Sequence, residues 1–106
     1  MKLLPTLKQK KRYIVFEIIS ETKFLAEDIK EEVDKALLLF LGQLGLSKSS
    51  PLLIKTKGNK FILKINHQYT DECKSALLLI KKIKNKPIII KSIITSGTIK
   101  KASTHL

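Results

Sequence analysis

The sequence is short of most of the groups from which proteins build reactive sites. It holds one cysteine, Cys73, and two histidines, His67 and His105, too few for a disulfide or a closed zinc site within the chain. Tryptophan is absent and arginine occurs once, as Arg12. Lysine therefore carries nearly all the positive charge, and its ammonium is a point charge without the planar fork that reads guanine edges. Long apolar runs are missing too. The longest, Ala36–Leu41 and Ala76–Ile80, fall far below the roughly 20 residues of a membrane span. The opening MKLLPTLKQKKR is basic but has no apolar stretch of signal-peptide length. A cytoplasmic protein with no membrane contact is expected.

What remains is a chain of 106 residues, 43% hydrophobic, with a net charge of +12. That size supports one domain with one ordinary core, and that charge points to a polyanionic partner, nucleic acid first. The charge is also polarised. Residues 1–12 carry +5, residues 13–47 carry three lysines against seven acids, and residues 48–106 carry thirteen lysines against two acids. An even coat of solvated lysine would show no such division.

The segment Leu52–Ile65 reads as a β-hairpin turning at Gly58-Asn59, two residues that tolerate φ > 0. Closing it there pairs Thr56 with Phe61, Ile54 with Leu63 and Leu52 with Ile65 on a core face. Lys55, Lys57, Lys60 and Lys64 then share the opposite face, with Lys57 directly across from Lys60. Like charges in that position repel, and a bound polyanion would relieve the cost.

Residues 1–11 read as a flexible basic arm. Arg12–Ser20 is a strand with apolar residues on both faces, as a central strand requires. Phe24–Leu44 is a helix whose stripe of Ile29, Val33, Ala36/Leu37 and Phe40 faces a core, with Gly45 placed to end it. Leu38, Leu39 and Leu41 lie off that stripe and, with Leu46, are candidates for a protein interface. Tyr69–Lys84 is a second helix, capped by Thr70 and lined by Cys73, Ala76/Leu77, Ile80 and Ile83. Ile88–Ser96 is a last strand, and 97–106 a basic tail. The order βαββαβ predicts an α+β, ferredoxin-like sandwich over residues 12–96, with an antiparallel sheet and two helices on one face. Its other face is expected to be open.

Such a fold with a basic open face resembles the RNA recognition motif, and Lys57–Lys64 is similar to the octapeptide on that motif's third strand. The two stacking aromatics are missing: Asn59 and Lys64 occupy their places, and Phe61 points to the core. Tyr13 alone could stack a base, so contact with the backbone of folded RNA is the better expectation. No paired carboxylates, nucleophile with a base, metal cluster or phosphate-binding glycine loop stands out, and no catalytic residue is assigned.

The chain as a whole resembles the archaeal ribonuclease P protein component 2 family. The resemblance rests on Arg12-Tyr13-Ile14-Val15-Phe16-Glu17, on Gly42-x-x-Gly45, and most specifically on Ser96-Gly97-Thr98-Ile99-Lys100-Lys101-Ala102 after an Ile-rich strand. It implies an RNA-recognition-like sandwich and a non-catalytic subunit of the endoribonuclease ribonucleoprotein that removes the 5′ leader of precursor tRNA. It further implies an RNA that carries the hydrolysis with Mg2+ and a partner, protein component 3, in a two-plus-two assembly. This chain binds no cofactor or metal on that reading. Lys10, Lys11, Arg12, Tyr13, Lys55, Lys57, Lys60, Lys64, Lys91, Gly97, Thr98, Lys100 and Lys101 become the RNA-binding candidates. Among them, Gly97 would turn the backbone toward a phosphate and Thr98 would offer a hydroxyl. A ribosomal or other structural RNA-binding protein, and a ferredoxin-like regulatory module, are the alternatives. Co-purifying RNA separates the first from a ribonuclease P subunit, and salt-insensitive behaviour without RNA would mark the second.

Overall fold

The computed structural model describes residues 10–106. In chain order the elements are β1 (Lys11–Ile19), α1 (Ala26–Ser49), β2 (Leu52–Lys57), β3 (Lys60–Asn66), α2 (Thr70–Leu78), β4 (Lys82–Ile83), β5 (Lys86–Pro87), β6 (Ile89–Ser96) and α3 (Ile99–Ser103). Alternation in β1 puts Ile14, Phe16 and Ile18 on one side and Tyr13, Val15 and Glu17 on the other. Ile14, Val15, Phe16 and Ile18 are all buried, so β1 needs cover on both faces and takes a central place. The four-stranded sheet runs β2-β3-β1-β6, with each neighbouring pair antiparallel. This is the expected ferredoxin-like arrangement.

The main core lies between the sheet and the two longer helices. Ile14, Phe16 and Ile18 meet Phe61, Leu63 and Ile65 of β3, under Ile29, Val33 and Leu37 of α1 and Cys73, Ala76 and Leu77 of α2. Phe16 and Phe61 stack with ring centroids 5.3 Å apart and an interplanar angle of 24°. Each such fully buried side chain contributes about 1.5–3 kcal/mol of transfer free energy.

Several boundaries differ from the sequence expectation. α1 does not end near Gly45. It breaks at Gly42 (φ 72°, ψ 174°), a conformation open almost only to glycine, and resumes to Ser49. Ser50 takes the left-handed cap, its N–H donating to the Leu46 carbonyl at 2.9 Å. Gly45 is helical instead, where an added Cβ would lie 2.8 Å from the Leu41 Cβ. Phe40 is nearly half exposed, and Leu41 takes its expected place against the core.

α2 stops at Leu78. Lys84 and Asn85, with φ of 51° and 65°, form the turn of a small β4–β5 hairpin, two successive left-handed residues as a I′ turn requires. Ile80 and Ile83 still reach the core, from that connection rather than from a helix. Thr70 opens α2 as its first residue, not as its cap, and its hydroxyl donates to the His67 carbonyl at 2.9 Å.

The hairpin turn at Gly58-Asn59 is present, but only Gly58 takes φ > 0. The expected pairs Ile54–Leu63 and Leu52–Ile65 do not form. A bulge between Leu53 and Lys55 instead sets Leu53 against Leu63 and Leu52 against Lys64. The bulge turns Leu53 toward the main core and Ile54 toward the other face.

The largest correction concerns that other face. It is not open. Residues 97–106, expected as a tail, fold back, and Ala102 is fully buried with Val15 and Ile62 in a second cluster. Tyr13, Ile54, Ile94 and Leu106 pack around it. Of the arm expected over 1–11, residues 1–9 lie outside the described residues. Lys10 precedes the sheet and Lys11 opens β1.

Candidate nucleic-acid interface

The registers order the sheet face opposite α1 and α2 into rungs. One runs Lys57, Lys60, Glu17, Lys91 across all four strands. The next runs Lys55, Ile62, Val15, Ile94, and the third Leu52, Lys64, Tyr13, Ser96. A bulge at Ile93 places Ile94 on this face, where unbroken alternation would have put Ile93. The middle of the face is thus apolar and lies under α3. Lysines ring it: Lys55, Lys57, Lys60 and Lys64 on the β2–β3 flank, Lys91 on β6, and exposed Lys100 and Lys101 on α3.

The acids are elsewhere. Among the described residues Glu17 is the one carboxylate on a strand. Glu27 and Asp28 lie in the first turn of α1 and Asp71 and Glu72 in that of α2, on the side away from the lysine ring, where they favour the helix dipoles. Lys84 is held there as well, with Nζ 3.6 Å from an Asp28 carboxylate oxygen and 3.7 Å from one of Glu31.

The Ser96–Lys101 segment is built locally. The Ser96 hydroxyl oxygen accepts the Thr98 N–H at 3.2 Å, and the Thr98 hydroxyl oxygen accepts the Lys101 N–H at 3.3 Å. Thr98 is therefore the N-cap of α3. Gly97 does not take φ > 0. An added Cβ there would lie 3.7 Å from Arg12 Nη1, which places the guanidinium beside this corner. Arg12 also donates through Nη1 to the Lys11 carbonyl at 3.1 Å. Tyr13 is half-buried beside α3, so the one candidate for base stacking is largely spent on packing. Lys10, just before β1, is tied to the segment after β3 through its carbonyl, which accepts the His67 N–H at 2.9 Å.

On the opposite side, α1 and the end of α2 with the connection that follows it leave an open groove of about 750 Å3, lined by Leu38, Leu39, Leu79 and Ile80 together with Lys35 and Lys82. Leu39 is 90% exposed and Leu38 45%. Leu41 and Leu46, proposed with them from the sequence, turn inward to the core. Exposed Leu44, Leu78 and Leu79 were missed. The signal for Leu79 was its place off the α2 stripe.

Among the described residues no group of three His, Cys, Asp or Glu could hold a metal ion, and no described helix is long and apolar enough to cross a membrane. Burial pushes the Cys73 thiol up to about 12, against a weaker downward pull from Lys74. A thiol so protonated is a core side chain rather than a nucleophile.

Comparison with known proteins decides the lineage. The family model for Rpp14/Pop5 proteins matches residues 12–106. The chain belongs to the Rpp14/Pop5 family. Within that family it is similar to ribonuclease P protein component 2 of Methanococcus vannielii, 39% identical over 98 residues that span 92% of this chain and 75% of the relative. The component 2 protein of Pyrococcus horikoshii is 39% identical over 101 residues, spanning 93% and 84%. A chain in the cryo-EM structure of yeast ribonuclease MRP superposes with a TM-score of 0.70 over 86% of this chain and 76% of that one, at 13% identity. That likeness shows the fold shared across a wide sequence distance. The Rpp14/Pop5 match begins at Arg12, the second residue of β1, and runs through the Ser96–Ala102 segment and α3.

Proposed function

We propose that this Rpp14/Pop5 protein works as a component 2 subunit of ribonuclease P, the ribonucleoprotein that matures the 5′ end of precursor tRNA, and braces its RNA through lysine–phosphate contacts. The ring of lysines on one sheet face, with a single carboxylate among the strands, is the observation that carries this reading. Ammonium groups placed there neutralise phosphates that would otherwise repel one another as the RNA compacts. The chain supplies charge and shape, while hydrolysis and its Mg2+ belong to the RNA. The site residues are Lys55, Lys57, Lys60, Lys64, Lys91, Lys100 and Lys101, with Lys10, Lys11 and Arg12 extending the positive surface past Gly97. Thr98 acts by holding α3, and Tyr13 by supporting it.

The α1–α2 groove is assigned to a protein neighbour, ribonuclease P protein component 3, in a two-plus-two assembly in the cytoplasm. Leu38 and Leu39 are its contact residues. Exposed leucines gathered along one helix pair are the support for a protein rather than an RNA contact there.

Reconstituted cleavage of precursor tRNA tests the reading. Omitting the chain should slow cleavage, and replacing Lys100 and Lys101 with Ala should weaken assembly in a manner restored by raised Mg2+. Cleavage that is the same with and without the chain overturns it.

A further inference from the structure

The same face also specifies which form of RNA it takes. Resting on the RNA-binding reading above, we infer that it grips the backbone of an A-form RNA helix, the β2–β3 lysines on one strand and Lys91, Lys100 and Lys101 on the other, with Glu17 limiting the affinity.

Three observations lead there. Single-strand recognition on a sheet needs exposed rings on the central strands. Here β1 and β3 present Val15 and Ile62, both fully buried beneath α3, with Tyr13 half-buried next to them, while Phe16 and Phe61 stack in the core on the opposite side. No described aromatic is left on the uncovered part of this face for a base to lie on. The second observation is the spacing. The rung Lys57–Lys60–Glu17–Lys91 crosses three inter-strand intervals, about 14 Å at the usual strand separation. Two cationic flanks so separated, with α3 packed against β1 and β6 and bringing Lys100 and Lys101 to the β6 flank, fit two phosphate strands bordering the wide, shallow minor groove of A-form RNA. Third, the cations are lysines, which hold phosphates without reading bases.

Glu17 stands between Lys60 and Lys91 on that rung, and no described lysine comes within ion-pairing distance of it. Its carboxylate faces the same phosphates as its neighbours and opposes them. A surface meant to hold one RNA helix and release others gains from such a check on non-specific affinity.

The test is direct binding by the full chain, followed by fluorescence anisotropy at two salt concentrations. The probes are a blunt RNA duplex of about 16 base pairs, one strand of it alone, and the DNA duplex of the same sequence. The RNA duplex should bind about tenfold more tightly than either of the others. The triple variant Lys57→Gln, Lys60→Gln, Lys91→Gln should lose that preference and lower the slope of log K against log salt by about 2–3. Glu17→Gln should tighten duplex binding about two- to fivefold, a gain that unfolding cannot mimic. Thermal midpoints within a few degrees of wild type confirm that exposed Lys57 and Lys91 and half-buried Lys60 are not structural. Equal or tighter binding of the single strand, or a triple variant that binds as wild type does, overturns the inference and leaves the RNA-binding reading standing. Failure of the wild-type chain to bind any of the RNA probes overturns both.

Discussion

The Asn59 side chain donates to the Thr22 carbonyl at 3.0 Å across 37 residues of sequence, and its Oδ1 accepts the Phe24 N–H at 3.2 Å. The β2–β3 turn is thereby tied to the loop that leads into α1. With the Ile18 N–H donating to the Asn59 carbonyl at 2.7 Å, one residue fixes where the first strand ends and the first helix begins. Replacing Asn59 with Ala should cost about 1–2 kcal/mol, two modest hydrogen bonds. Asn59→Asp keeps the acceptor and loses the donor, and should fall between. Urea denaturation of the three proteins checks the order.

Gly42 is held at a φ and ψ that other residues enter at a cost of about 1–3 kcal/mol. Nothing lies within 4 Å of a Cβ added there, so Gly42→Ala should destabilise by about that amount through the backbone alone. A D-alanine introduced at this position by chemical synthesis relieves the strain and should restore most of the loss. At Gly45 the obstacle is Leu41, so there both enantiomers should not behave alike, and only the L-alanine variant meets its Cβ.

Ala102 is fully buried over Val15 and Ile62. Ala102→Asp would bury a carboxylate, and the chain avoids that cost by releasing α3. The loss is therefore capped at the docking energy of a short segment, about 1–3 kcal/mol. Increased binding of an apolar dye and faster proteolysis after Lys100 and Lys101, with the far-UV spectrum of the sheet retained, are the expected results.

Folding raises the Cys73 thiol from 9.0 to about 12. The native state therefore keeps the proton that the unfolded chain surrenders, and the stabilisation is complete below pH 9 and declines as pH rises from 9 toward 12. Wild type should lose stability faster than Cys73→Ala across that interval. Alkylation at pH 8 should be slow in the native protein and rapid in denaturant.

Leu39→Glu places a charge on a side chain already 90% exposed, so stability should change by less than about 0.5 kcal/mol. The same variant should abolish capture of protein component 3 while leaving RNA affinity intact. Loss of RNA binding instead would place the RNA on the helical side.

The order of strands and helices was legible because β1, α1 and β3 have strong periodicities that burial rewards. The same strength misled at α2. Ile80 and Ile83 continue a helical spacing, and both do reach the core, yet a left-handed pair at Lys84-Asn85 delivers them from a hairpin with no glycine to announce it. The lysine face was legible as a set, since Lys55, Lys57, Lys60 and Lys64 share a side whether or not a bulge intervenes on β2 at Ile54. Its cover was not. α3 shows in the sequence only as Thr98 before a short run with Ala102 and Leu106 four apart, too brief to outweigh two lysines and a histidine. The interface leucines divided for a similar reason. The break at Gly42 redirects the helix there, with Leu41 and Leu46 on either side of it turned inward and Leu39 left outside.

β1 is made first yet finishes in the middle of the sheet, between two strands that lie far along the chain. During synthesis its hydrogen-bonding edges stay bare until residues 60–66 leave the ribosome, and one edge stays so until residues 89–96 emerge. A nascent strand that is apolar on both sides is a hazard for that interval. Production of the protein should accordingly depend on chaperones and on translation speed more than its small size implies.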